Sequence, residues 1–140
     1  MKRFEWDKSL ETGDAQVDEQ HRMLFSMGSE FNAAIMSGGS TALSIKLIEN
    51  LANYAVQHFK CEEAWMQKAH YPELSSHTAL HEDLKRKLVD RLLNIKNGRV
   101  PMTAEMSIFL HDWITHHILE QDLRAIHWCR EHAEREPESH

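Results

Sequence analysis

Histidines and carboxylates stand in this sequence where ordinary packing would place apolar side chains. His58 and Glu62 are four residues apart, as are His77 and His81, a spacing that stacks two side chains one turn apart on a single helical face. His21 and His117 fall on the apolar stripes of their own segments. Any one inward histidine is more often a core residue with a hydrogen-bond partner than a ligand. Six such groups drawn from separate segments need a common partner, because buried polar groups without one are costly. Imidazoles and carboxylates without a thiolate suit a borderline first-row metal such as iron, manganese or zinc, held inside a helical bundle. A polar network without metal is the alternative.

The elements that must carry these groups are helical. Glycine and proline punctuate the chain mainly at Gly13, Ser37-Gly38-Gly39-Ser40, Tyr71-Pro72 and Asn97-Gly98-Arg99-Val100-Pro101. Between them, inward positions recur every three or four residues. Positions 21, 24, 28, 31 and 35 define a helix over about 18–37, and 48, 51, 55, 58, 62 and 65 one over about 41–68, started by Ser40 or Thr41. Positions 77, 81, 84, 88 and 95 define a third over about 75–96, capped at Ser75 or Ser76. Met106, Leu110, Trp113 and His117 mark a fourth over about 103–121, capped by Thr103.

Short connections predict an all-α fold, an up-down-up-down antiparallel four-helix bundle, formed by one domain spanning 1–140. An extended arm over 1–17, a short C-terminal helix over about 123–131 and a charged tail over 132–140 complete the expectation.

Sixteen Lys and Arg against twenty-two Asp and Glu give a formal charge of -6, the wrong sign for neutralising phosphates, so nucleic acid is not expected as a partner. No apolar run approaches the ~20 residues that cross a bilayer, and Met1-Lys2-Arg3-Phe4-Glu5-Trp6-Asp7 does not read as a signal peptide. A cytoplasmic protein without membrane association is expected, with Cys61 and Cys129 as reduced structural thiols. The ferritin-like di-iron pattern of four glutamates with paired Glu-x-x-His motifs is missing from the sequence.

Four blocks resemble the hemerythrins, in particular their single-domain bacterial branch. They are Trp6-Asp7 through Gly13 to Val17-Asp18-Glu19-Gln20-His21, Gln57-His58-Phe59-Lys60-Cys61-Glu62-Glu63, Tyr71-Pro72 through His77 to His81, and Trp113-Ile114-Thr115-His116-His117-Ile118-Leu119-Glu120-Gln121-Asp122. The resemblance implies seven ligands: His21, His58, Glu62, His77, His81, His117 and Asp122. It implies two non-haem iron ions (Fe2+/Fe3+) with an oxo or hydroxo bridge. His77, His81 and His117 would complete one iron, His21 and His58 the other, and Glu62 and Asp122 would bridge them.

Reversible O2 binding at the more open iron, in a carrier, storage or delivery role and not as an enzyme, is the implied function, with NO, azide or peroxide as further ligands. A sensor of oxygen, redox state or NO acting in trans, or a peroxidase or NO-detoxifying enzyme, are the alternatives. Leu24, Phe59, Trp113 and Ile118 flank the ligands and are assigned to an apolar oxygen pocket, although core packing explains them as well.

Asp122 comes from the resemblance alone. Five residues advance an ideal helix about 500°, leaving Asp122 about 140° away from His117. A π-bulge or loosened turn is therefore predicted between them. His116 is the rival of His117 as a ligand, since 109, 113, 116 and 120 form an alternative stripe.

Overall fold

The computed structural model describes residues 6, 8–99, 101 and 104–135, with the side chains of 117 and 133–135 outside that description. Four blocks of helix form the bundle. Helix α1, Ala15–Met36, starts where Asp14 accepts a hydrogen bond from the Val17 amide at 3.0 Å. This is three residues earlier than periodicity suggested, because the cap and not the first apolar residue sets the start. Helix α2, Thr41–Lys68, is capped by Ser40, which accepts from the Leu43 amide at 3.1 Å.

Helix α2 closes through His70 at φ 59, with the amides of His70 and Tyr71 donating to the carbonyls of Gln67 and Met66 at 3.1 and 2.9 Å. That paired-bond ending fixes where Tyr71 leaves the helix. Helix α3, Leu74–Lys96, begins after Glu73 with no side-chain cap, contrary to the expected Ser75 or Ser76 cap. Pro72 supplies the turn, and Ser76 donates its hydroxyl back to the Glu73 carbonyl at 3.0 Å. The expected cap at Thr103 lies outside the described residues.

The largest departure is at the C-terminal end. Helix α4, Ala104–Asp112, runs without a break into a π-helical segment, Trp113–Leu119, and then into α5, Glu120–Arg135. The short, separate helix expected over 123–131 is instead the far end of this rod. No Gly or Pro lies between Pro101 and Pro137, so nothing local stops the helix.

The first helix packs against the second and fourth, and the second also against the third. Leu24, Phe31, Ile48, Leu51, Leu84 and Leu110 are fully buried in the main core. Every predicted inward position of α3 is buried, but α2 ends its stripe on Met66 and not on Trp65. A smaller core of Met66, Tyr71, Ala125 and Cys129 closes the α5 end. No helix among the described residues is long and apolar enough to cross a membrane.

The arm is tied down by one buried carboxylate. Asp18 Oδ1 accepts from the Thr12 amide and hydroxyl at 2.7 and 2.8 Å, and Oδ2 accepts from the Gly13 amide at 3.2 Å. Arg130 of α5 donates to the Thr12 carbonyl at 3.2 Å, linking arm and rod. Gly13, at φ 91, adopts a backbone conformation that a side chain would strain. Asp18→Ala strands these donors, and the expected loss is about 2–3 kcal/mol, since bonds to a charged acceptor are the strong ones. Chemical denaturation would check it, and an unchanged midpoint would show that the arm contributes nothing.

Candidate metal centre

Each helix brings its share to one level of the bundle. Helix α1 contributes His21, α2 His58 and Glu62, α3 His77 and His81, and α5 Asp122, all at most 6% exposed. Asp122 sits at the middle. Its carboxylate lies 2.8 Å from His77 Nε2, 3.4 Å from both His21 Nε2 and His58 Nε2, and 3.6 Å from His81 Nε2. Glu62 stands across from it, 3.0 Å from His58 Nε2 and 3.7 Å from the Nε2 atoms of His21 and His81.

These donors fall into two overlapping sets, His21, His58, Glu62 and Asp122 in one and Glu62, His77, His81 and Asp122 in the other. Within each set the ligand atoms lie within 4.8 Å of one another. Both sets share the two carboxylates.

The chemistry of the atoms agrees with a cation between them. Both oxygens of Glu62, both ring nitrogens of His21 and Nε2 of His81 are buried without an aligned hydrogen-bond partner. Such orphans are rare in folded proteins unless an ion or water satisfies them. His58 Nδ1 and His81 Nδ1 instead meet Gln20 Oε1 and Glu63 Oε2, each at 2.7 Å. These acceptors fix the proton on Nδ1 and leave Nε2 with its lone pair aimed at the cluster, the arrangement that outer partners impose on metal-binding histidines.

The electrostatics are unequal. Burial pushes the Glu62 carboxyl well above the usual range, and the Asp122 charge pushes it further. Burial also acts to raise Asp122, but the four imidazoles around it outweigh that and hold it well below the range. His21 is raised, its burial being overcome by Asp122 and Glu62. Two buried carboxylates this close repel unless cations separate them.

The family model for the hemerythrin HHE cation binding domain matches residues 12–138. The chain belongs to the hemerythrin family. A bacteriohemerythrin of Methylococcus capsulatus is 30% identical over 106 residues, covering 76% of this chain and 80% of its own. One of the hemerythrin subunits of Sipunculus nudus is 30% identical over 125 residues, covering 86% and 89%. A crystal structure of a wild-type hemerythrin superposes with a TM-score of 0.78 at 27% identity, over 86% of this chain and 92% of that one.

This hemerythrin chain departs from a regular helix where the resemblance requires it, though not quite at the predicted place. The wide turns occupy Trp113–Leu119, beginning before His117 and giving way to α-helix at Glu120. Trp113 and Ile118, five residues apart, are both buried, as are Ile114 and Leu119. In an α-helix such pairs would lie about 140° apart. The i to i+5 register of the π-helix puts each pair on one face. By the start of α5 the rod has rotated enough to bury Asp122 completely.

The backbone of His117 lies in this segment, and its side chain is outside the described residues. The rival His116 is 54% exposed and faces Asp112 and Glu120 at 3.9 and 3.5 Å on the surface, away from the cluster. Cys61 is exposed, so it offers no thiolate to the centre. Leu24, Phe59, Trp113 and Ile118 are all buried. Phe59 stacks on the His81 ring at 4.0 Å and lies 6.0 Å from Trp113, whose indole nitrogen donates to the Leu84 carbonyl at 2.9 Å.

Gln20 and Glu63 are the residues that sequence reasoning passed over. Each is next to a candidate ligand in the chain, yet the ring it orients belongs to another helix, so no spacing rule could find it. Glu63→Ala frees Nδ1 of His81, and metal affinity should fall about 10–100-fold, the usual effect of removing such a partner. Competition with a chelator would measure it; unchanged affinity would assign Glu63 to the surface.

Proposed function

We propose that this chain binds molecular oxygen reversibly at a centre of two non-haem iron ions, as the hemerythrin family does. The observation that carries this reading is the pair of donor sets sharing Glu62 and Asp122, which suits two cations bridged by two carboxylates. His21 and His58 would hold one ion. His77 and His81 would hold the other, with His117 as its third imidazole. A third imidazole from His117 would make the two ions unequal, and the open position would then lie beside His21 and His58. When bound, the irons would supply the two electrons and the open coordination position that dioxygen requires.

The chain's own contribution is to hold and shield. Only two carboxylates share the site with the imidazoles, so it carries less negative charge than a carboxylate-rich centre and favours a high-valent oxidant less. Leu24, Phe59, Trp113 and Ile118 are buried and would keep water away from the centre. The pinned Nδ1 atoms of His58 and His81 keep the rings in place through the cycle.

The test is the visible spectrum of anaerobically reduced protein before and after exposure to oxygen, with azide added to the oxidised form. A coloured adduct that bleaches when oxygen is withdrawn is expected, with two irons per chain. Turnover of peroxide or nitric oxide above a free-iron control, with no stable adduct, would make the protein an enzyme instead.

A further inference from the structure

The six described candidate ligands are at most 6% exposed, so electrons from a protein reductant must cross part of the protein to reach the ions between them. Among the described ring contacts, those joining His21, His58, Phe59 and His81 run inward to Trp113, which is itself buried, and His81 also meets His77 edge-on with centroids 4.5 Å apart. A second series leaves the bundle. His77 meets Tyr71 edge-on with centroids 6.4 Å apart, Tyr71 meets Trp128 at 5.3 Å, and Trp128 lies flat on His132 at 3.6 Å and 15°. Trp128 and His132 are partly exposed.

Each ring in this series is fixed. The paired-bond ending of α2 places Tyr71, whose hydroxyl donates to Glu73 at 3.3 Å. His132 meets the Trp128 carbonyl through Nδ1 at 2.9 Å, one turn along α5. Aliphatic residues would close this end of the bundle equally well, as Met66 and Ala125 do beside it. The buried Cys129 thiol in the same cluster is pushed up to about 11 by burial, so it stays protonated and is no thiolate donor.

We propose that the ring series Tyr71, Trp128 and His132 is the path by which an electron from a one-electron reductant at the exposed edges of Trp128 and His132 reaches the metal centre after oxidation. The proposal rests on the two-iron reading above. Tunnelling weakens steeply across through-space gaps and less through conjugated rings in contact, so unbroken ring contact to a ligand histidine favours this end of the molecule. In each transfer the donor loses one electron and one ferric ion gains it, and two transfers restore the pair. No bond in the chain forms or breaks, and any proton taken up comes from solvent.

The experiment uses iron-loaded ferric protein and the methyl viologen radical cation, with loss of the ferric visible bands followed by stopped flow. Trp128→Leu should slow reduction about ten-fold or more, with the midpoint potential of the centre unchanged. Trp128→Phe and Tyr71→Phe, which keep a ring, should stay within about three-fold of the parent rate, and His132→Ala should slow it about two- to five-fold. Parent rates in Trp128→Leu, a slowing matched by a shifted potential, or Tyr71→Phe as slow as Trp128→Leu would each overturn the proposal. If Trp128→Leu loses its helical circular dichroism, His132→Ala decides alone. Iron content and the oxygen adduct of the parent protein are measured first, so a failure of the two-iron reading shows itself separately.

Discussion

Asp122→Ala is expected to empty the centre. This carboxylate belongs to both donor sets and approaches four imidazoles, so on the two-ion reading its loss would remove a donor from each cation and the bridge between them at once. Losing only an outer partner of a ligand costs about 10–100-fold in affinity, so losing a shared ligand should cost more than about 100-fold. Anaerobically purified Asp122→Ala should carry less than half the iron of the parent protein and form no oxygen adduct. Asp122→Asn, which keeps the shape and one oxygen donor, separates the missing ligand from a packing defect. A full complement of iron with a normal oxygen spectrum in Asp122→Ala would remove Asp122 from the centre.

Removing the metal from the unmutated protein should lower its melting temperature by about 10 °C. A ligand at a hundred times its dissociation constant stabilises by about 2.7 kcal/mol. For a chain of this size each kcal/mol moves the midpoint by about 3–5 °C. Without metal, Glu62, His21 and His81 keep buried atoms with no aligned partner.

The gap should widen as pH rises from about 5.5 to about 8, and two groups set the sign. Glu62 is a carboxyl raised in the fold, so above its unfolded value the metal-free protein loses stability as pH climbs towards the folded one. His21 is a base raised in the fold, so its contribution is full at low pH and is lost as pH rises through its folded value. Asp122 is lowered, and its contribution disappears only in stronger acid. Metal binding itself strengthens with pH, because the imidazoles must be deprotonated. A chelated sample melting with the loaded one across this range would contradict the whole scheme.

A cation held between the two donor sets would explain why so many polar groups stand in the middle of the bundle. The apolar core of Leu24, Phe31, Ile48, Leu51 and Leu84 lies along the same helices that carry the ligands. Core packing sets the level at which the helices meet, and the ligands inherit it. The Asp18 knot and Arg130 add a tie between the arm and α5, the helix that carries Asp122.

The sequence alone determined the helical stripes and the candidate ligands on them, because a spacing of four on an α-helix is a local property that no partner can alter. It therefore placed His58 with Glu62 and His77 with His81, and put the inward histidine of α1 at His21. Asp122 and the outer partners were decided elsewhere. Asp122 is out of register with His117 in any regular helix, and only the π segment, which the core imposes by burying Trp113 with Ile118 and Ile114 with Leu119, turns it inward. Gln20 and Glu63 act on rings of neighbouring helices, and Tyr71 reaches Trp128 across the bundle end. Such contacts between distant parts of the chain depend on helix rotation and offset, which the tertiary packing fixes and no periodicity records.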